Sequence, residues 1–172
     1  MRMRFLLATA LFFAACSVAA AQPKWTEYRY AEQGFAVQFP GVPRVKSKTL
    51  EAKTPVTHFE ALFADARNVY DVSVMAFAGP GPSNPGPAYL SRVIATYAKG
   101  SGSTVRTQNP ATVAGQPGMT AVADDEANNR YHAVDAFVRG ARIYLIVSVG
   151  PKGHETSAEA KRFRQSFKLI EK

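Results

Sequence analysis

The chain has 172 residues, 47% of them hydrophobic and 20% charged, the composition of a folded globular protein rather than a disordered tail or a bundle of membrane spans. Its formal charge of +8 comes with no nucleic-acid recognition motif, so the basicity reads either as solubility or as attraction to an anionic partner. Cys16 is the only cysteine, which excludes an intrachain disulfide framework and any multi-cysteine zinc or iron–sulfur site.

The N-terminus reads as a secretory leader. Arg2 and Arg4 precede an apolar run, Phe5 to Ala15, and Ala19-Ala20-Ala21 supplies the small residues a signal peptidase needs. The run is too short to span a membrane, which takes about 20 residues. Cleavage is expected after Ala21, so that residues 1–21 are a signal peptide and 22–172 a single globular domain in the periplasm or outside the cell. Loss of Arg2 and Arg4 would take the charge from +8 to +6. A second reading stays open: Cys16 follows Phe13-Ala14-Ala15, near where a lipoprotein signal places its acylated cysteine, although Phe13 stands where leucine is usual. The protein would meet the membrane only in that case.

The next stretch is mostly sheet. Trp25 to Tyr30 alternates aromatic and polar residues as a half-buried strand does. After a turn at Ala31 to Gly34, Phe35, Val37 and Phe39 alternate again, and Pro40 ends the strand because proline cannot donate to a ladder. Arg44 to Leu50 is more polar and reads as an edge strand guarded by lysines. Val56 to Phe63 and Val69 to Phe77 form a pair, with Phe59, Ala61, Phe63, Val72, Val74 and Ala76 as their apolar faces. Gly79 to Pro87 is too rich in glycine and proline for either element and reads either as a rigid binding loop or as a segment that carries the chain across the sheet.

A helix is expected over Ala88 to Ala98. Leu90, Val93, Ile94 and Tyr97 make one apolar stripe, Pro87 suits the first turn and Gly100 the C-terminal cap. Thr104 to Val113 resumes extended structure, Gly115 to Gly118 turns, and Met119 to Ala123 runs back to an acidic turn at Asp124 to Asn129. Tyr131 to Val138 and Ile143 to Val149 are then two apolar strands joined by Arg139-Gly140-Ala141-Arg142, a hairpin turn. Thr156 and Glu159 have capping-box spacing and predict a final helix with Ala160, Phe163 and Phe167 on its buried face.

No specific chemical signature emerges. Gly100-Ser101-Gly102-Ser103-Thr104 follows a helix rather than opening one, so it reads as a cap and linker and not as a phosphate loop. Asp124, Glu126, Asn128 and Asp135 echo a calcium loop but lack its glycine and final glutamate. His58, His132 and His154 show no ligand-type spacing. His58 shares a strand face with Glu60, and His132 with Val134 and Val138; meeting across a sheet with Asp71 or Asp135 would let them form a base or metal site. Ser73 and Ser148 lie inside strands, without the turn of a nucleophile elbow. No catalytic, cofactor-binding or metal-ligating residue is therefore assigned, and no cofactor is expected.

The chain from Trp25 to Ile170 nonetheless resembles the PsbP-like family of small exported α/β/α domains. The resemblance is carried by Gly34-Phe35-Ala36-Val37-Gln38-Phe39-Pro40, the Tyr89-Leu90 helix, and the Gly115-Gln116-Pro117-Gly118 turn. Arg142-Ile143-Tyr144-Leu145-Ile146-Val147, Phe163 and Ser166-Phe167-Lys168-Leu169 complete it. The family includes an extrinsic subunit of the photosynthetic oxygen-evolving complex, a Ran-binding import factor and many uncharacterised bacterial proteins, and has no shared catalytic set. The resemblance implies an α+β fold, an antiparallel sheet of about six to eight strands with helices on its faces. It also implies a binding or accessory role. The leading expectation is an exported, non-enzymatic envelope protein whose partner is a protein or an anionic envelope component, with no nucleic acid involved. Two alternatives are a hydrolase or metal-dependent enzyme using His58 and His132 with acidic residues, and a lipid-anchored assembly or stress factor.

Overall fold

The computed structural model describes residues 24–51, 53–82 and 85–171. The expected leader, its cleavage point after Ala21, and Cys16 lie outside them. The elements run β1 (Thr26–Tyr30), β2 (Phe35–Phe39), β3 (Arg44–Leu50), β4 (Val56–Ala64), β5 (Val69–Phe77), α1 (Pro87–Ser101), β6 (Thr104–Val113) and β7 (Gln116–Asp125). They continue with β8 (Arg130–Arg139), β9 (Arg142–Pro151), α2 (Ala158–Ser166) and β10 (Lys168–Leu169). Seven strands form the main sheet in the order β3-β4-β5-β9-β8-β7-β6, antiparallel throughout. β1, β2 and β10 form a second sheet of three strands. The break at Pro40 to Pro43 is what separates the two sheets: proline interrupts the ladder, and Gly41 lies so close to the Phe63 ring that no side chain fits between them.

The main sheet is covered differently on its two faces. One face carries the small sheet and α2, which enclose an aromatic core. Phe35, Phe39, Phe137, Tyr144 and Phe163 are all at most 2% exposed. Phe137 and Tyr144, directly opposite each other on β8 and β9, stack with ring centroids 4.7 Å apart. Burying such rings contributes roughly 1.5–3 kcal/mol each, so this layer dominates the stability. The other face carries α1, whose Leu90 and Ile94 pack on Met119, Ala121, Val134 and Ala136. The expected α+β sheet with helices on its faces is what the chain builds.

Element boundaries depart from expectation at three points. α1 continues past Gly100 to Ser101 and is capped by Gly102, whose φ of 70° is the left-handed turn that glycine tolerates best; its N–H reaches the carbonyls of Ala98 and Lys99. α2 does not begin at Thr156, which closes a short 3-10 turn by donating to the Gly153 carbonyl at 3.1 Å. Ser157 is the N-cap instead and accepts from the Ala160 N–H at 3.1 Å. The turn before β7 is only Ala114-Gly115, both at positive φ, and the strand already runs at Gln116. Pro117 is tolerated inside β7 because pairing with β8 starts one residue later, at Gly118. Arg44–Leu50 is an edge strand, exposed along its whole length, as its lysines predict.

Candidate functional site

A helix about 10 Å wide and, at 15 residues, about 22 Å long cannot cover a seven-stranded sheet about 30 Å across. Only Gly102 and Ser103 separate α1 from β6, an edge strand, so the helix lies over β6, β7 and β8. The same face of β4 and β5 is left partly uncovered, while on β9 Ile143 and Leu145 are already buried beside the helix. The step from helix to bare sheet makes a groove of about 670 Å³.

The two walls of the groove come from different elements. Met75 and Phe77 of β5 with Ile143 and Leu145 of β9 form an apolar floor. Farther along β5 the floor turns polar at Ser73 and Asp71, and β4 adds Glu60 and His58 beside it. Register explains the grouping: Glu60 stands opposite Ser73 and His58 opposite Met75, and directly opposed residues share a face. The helix wall is Tyr89, Val93 and Tyr97, with Arg92 and Thr96 at the rim and Gly100 beyond. A Cβ added at Gly100 would meet no heavy atom within 4 Å, so glycine there leaves the groove open.

The polar part of the floor has unusual electrostatics. Ser73 Oγ donates to Asp71 Oδ2 at 3.0 Å, while the buried Asp71 Oδ1 has no partner. Burial, reinforced by the Glu60 carboxylate and opposed by the Ser73 bond, pushes the Asp71 carboxyl up to about 7. Tyr97 Oη and His132 Nδ1 share a hydrogen bond of 2.7 Å behind the groove wall. Burial raises the phenol and lowers the imidazole, so both are neutral at physiological pH.

The residues singled out in the sequence are mostly kept apart. His58 is level with Val138 through Met75 and Ile143, six residues along β8 from His132. That offset is about 20 Å along the strands and three strands across, so the two histidines do not share a site. Asp135 cannot orient His132, because neighbouring strand residues point to opposite faces. Asp135 instead accepts from Arg164 Nη1 of α2, at 2.8 and 3.0 Å. His154 packs edge-on against Tyr70 beneath the aromatic core, 5.7 Å between ring centroids. The acidic turn is a hydrogen-bonded turn, with Asn128 donating twice to Asp125, and Asp124 pairs with Arg106. Among the described residues no group of three or more His, Cys, Asp or Glu side chains is disposed to hold a metal, and no helix is long and apolar enough to cross a membrane. The sequence places His58 and Glu60 on one strand face and offers Asp71 as a carboxylate partner, and these three do line one groove, but it marks Ser73 only as a strand serine and Tyr97 only as core. One signal was available: β5 alternates Val72 and Val74 with Asp71 and Ser73.

No protein-family model matches the chain, and no curated protein matches it. A solved structure does. The solution structure of cyanobacterial PsbP (CyanoP) from Synechocystis sp. PCC 6803 superposes with a TM-score of 0.54, covering 92% of this chain and 99% of that one at 10% sequence identity. The chain has a PsbP-like fold. The segments that carried the resemblance, Gly34 to Pro40 and Arg142 to Val147, are β2 and β9, the strands at the centres of the two sheets. At 10% identity the likeness is one of backbone path.

Proposed function

We propose that this PsbP-like protein is a non-enzymatic binding protein of the cell envelope, delivered there by its N-terminal leader, and that it binds in the groove between α1 and strands β4, β5 and β9. The partly uncovered face of the sheet carries this reading. It forms a concavity of about 670 Å³ with an apolar floor and a few polar groups, the make-up of a small-molecule or segment-binding site. Ser73 donates to Asp71 within the groove, but among the described residues no third group orients that pair: Asp71 Oδ1 has no partner and His58 makes no hydrogen bond to either residue. The net charge of +6 left once Arg2 and Arg4 are removed with the leader draws the molecule toward anionic envelope surfaces in a salt-dependent way.

N-phenyl-1-naphthylamine, a neutral apolar dye, tests the groove by its fluorescence. The parent protein is expected to bind it, and Gly100→Trp to bind at least tenfold more weakly with an unchanged or higher Tm. The indole enters open space, and replacing a helical glycine favours the helix by several tenths of a kcal/mol. Equal dye binding by the two proteins, or none by the parent, would overturn the assignment.

A further inference from the structure

We infer that the groove selects an amphipathic ligand with a cationic head, chemically a protonated primary amine, seated on Asp71 with its apolar body along Met75, Phe77, Ile143 and Leu145. The inference rests on the groove being the binding site and adds the chemistry of what it takes.

Three observations carry it. The first is an unmet hydrogen-bonding demand. A carboxylate offers about four acceptor sites, and Asp71 uses one of them, for Ser73, leaving Oδ1 without a partner. Rotation about the Cβ–Cγ bond of an aspartate is soft and nearly two-fold, so either oxygen can be turned to the groove. The second is the absence of an internal cation. The ion pairs among the described residues use Glu27, Asp124, Asp135 and Glu155, and neither Asp71 nor Glu60 is in one. Lys46 stands opposite Glu60 on the edge strand, yet makes no ion pair with it. Asp71, flanked in register by Leu62 and Val147, thus lacks a positive partner, whereas Glu60 has Lys46 as its cross-strand neighbour. The third is shape. Along β5 the groove passes from Asp71 and Ser73 to Met75 and Phe77, with Ile143 opposite Met75, so a head seated on Asp71 sends its tail along the strand toward Met75 and Phe77.

The same layout disfavours an anionic head at this end, where it would face the unpaired Asp71 carboxylate. Arg92 does not compensate, since it stands at the rim with its guanidinium 5.8 Å from the centre of the Tyr89 ring. Tyr97, also in the wall, offers an aromatic face near the head, a further attraction for a cation.

The test is calorimetric titration at pH 8.5 with three probes of one chain length: n-octylammonium, 1-octanol and octanoate. The parent is expected to bind octylammonium at least tenfold tighter than octanol, and octanoate most weakly. Asp71→Asn keeps the side-chain shape and should bring octylammonium down to the octanol level; a thermal melt confirms that it is folded. If octanol binds the parent as well as the amine does, or if the variant keeps the preference, the cation selectivity is overturned while the groove assignment stands. Failure of all three probes to bind overturns both.

Discussion

Asp71 sits on a central strand, with β4 on one side and β9 on the other, and that placement sets its acidity. In the unfolded chain the group titrates near 3.8; in the fold, burial takes it to about 7. Between these values the folded state holds a proton that the unfolded state has released. Stability therefore declines as pH rises from about 4 to about 7 and levels off above. A span of about three pH units corresponds to about 4 kcal/mol, reduced by solvent entering the groove to about 2–4 kcal/mol. Asp71→Asn should be more stable than the parent at pH 8, with the gap closing below pH 4. Urea unfolding at pH 4, 6 and 8 measures this, and a constant gap would sink it. His132 and His154 work in the opposite sense. Burial lowers both, so their contribution is full above about pH 6.5 and is lost as pH falls through their folded values. None of these shifts is legible in the sequence, because each depends on which strands flank the residue.

Elements dock here through a few residues at their contact faces. α2 is held to the sheet by Phe163 in the aromatic core and by Arg164, whose Nη1 bridges both oxygens of Asp135 on β8. Both partners are largely buried, 19% and 12% exposed at the side chain. Removing one leaves an uncompensated charge, so Arg164→Met should cost about 3–5 kcal/mol. Pairing it with Asp135→Leu should recover most of the loss, since a buried ion pair can be replaced by apolar packing. Denaturant unfolding of the two single variants and the double variant decides, and additive losses would show that the pair is not coupled. The helix stripes and strand alternations that set up these contacts were legible from Ala160 and Phe163, and from Phe35, Val37 and Phe39. The caps were misplaced by one or two residues, because Thr156 and Ser157 are equally good N-cap types, and Gly100 and Gly102 equally good stop signals. Only the backbone path shows which of each pair turns.

At the scale of the molecule, one helix on this face of a seven-stranded sheet leaves room for a ligand. Expressed in a Gram-negative host, the protein is expected in the periplasmic fraction with a mature N-terminus at Gln22, and Cys16→Ala should not change its location. Intact mass spectrometry checks this. A diacylated Cys16 at the N-terminus would instead favour the anchored form. The Gly79–Pro87 segment also belongs to this scale. Gly81 passes so close to the Gly140 carbonyl that it admits no side chain, which places the chain at Gly81 against the end of the β8–β9 hairpin.

Local pattern determined the strands, the helices and the edge character of β3, because alternation and helical spacing are properties of neighbours along the chain. It also carried the resemblance that the PsbP-like fold upholds. Tertiary structure alone decided the site. β5 lies beside β9 across a sequence gap that spans α1 and three strands, and only this pairing sets Ser73 opposite Leu145 and Met75 opposite Ile143. The width of the sheet against the width of a helix then left that face partly open. Sheet order, not composition, is the physical reason a groove exists where the sequence showed only scattered polar residues.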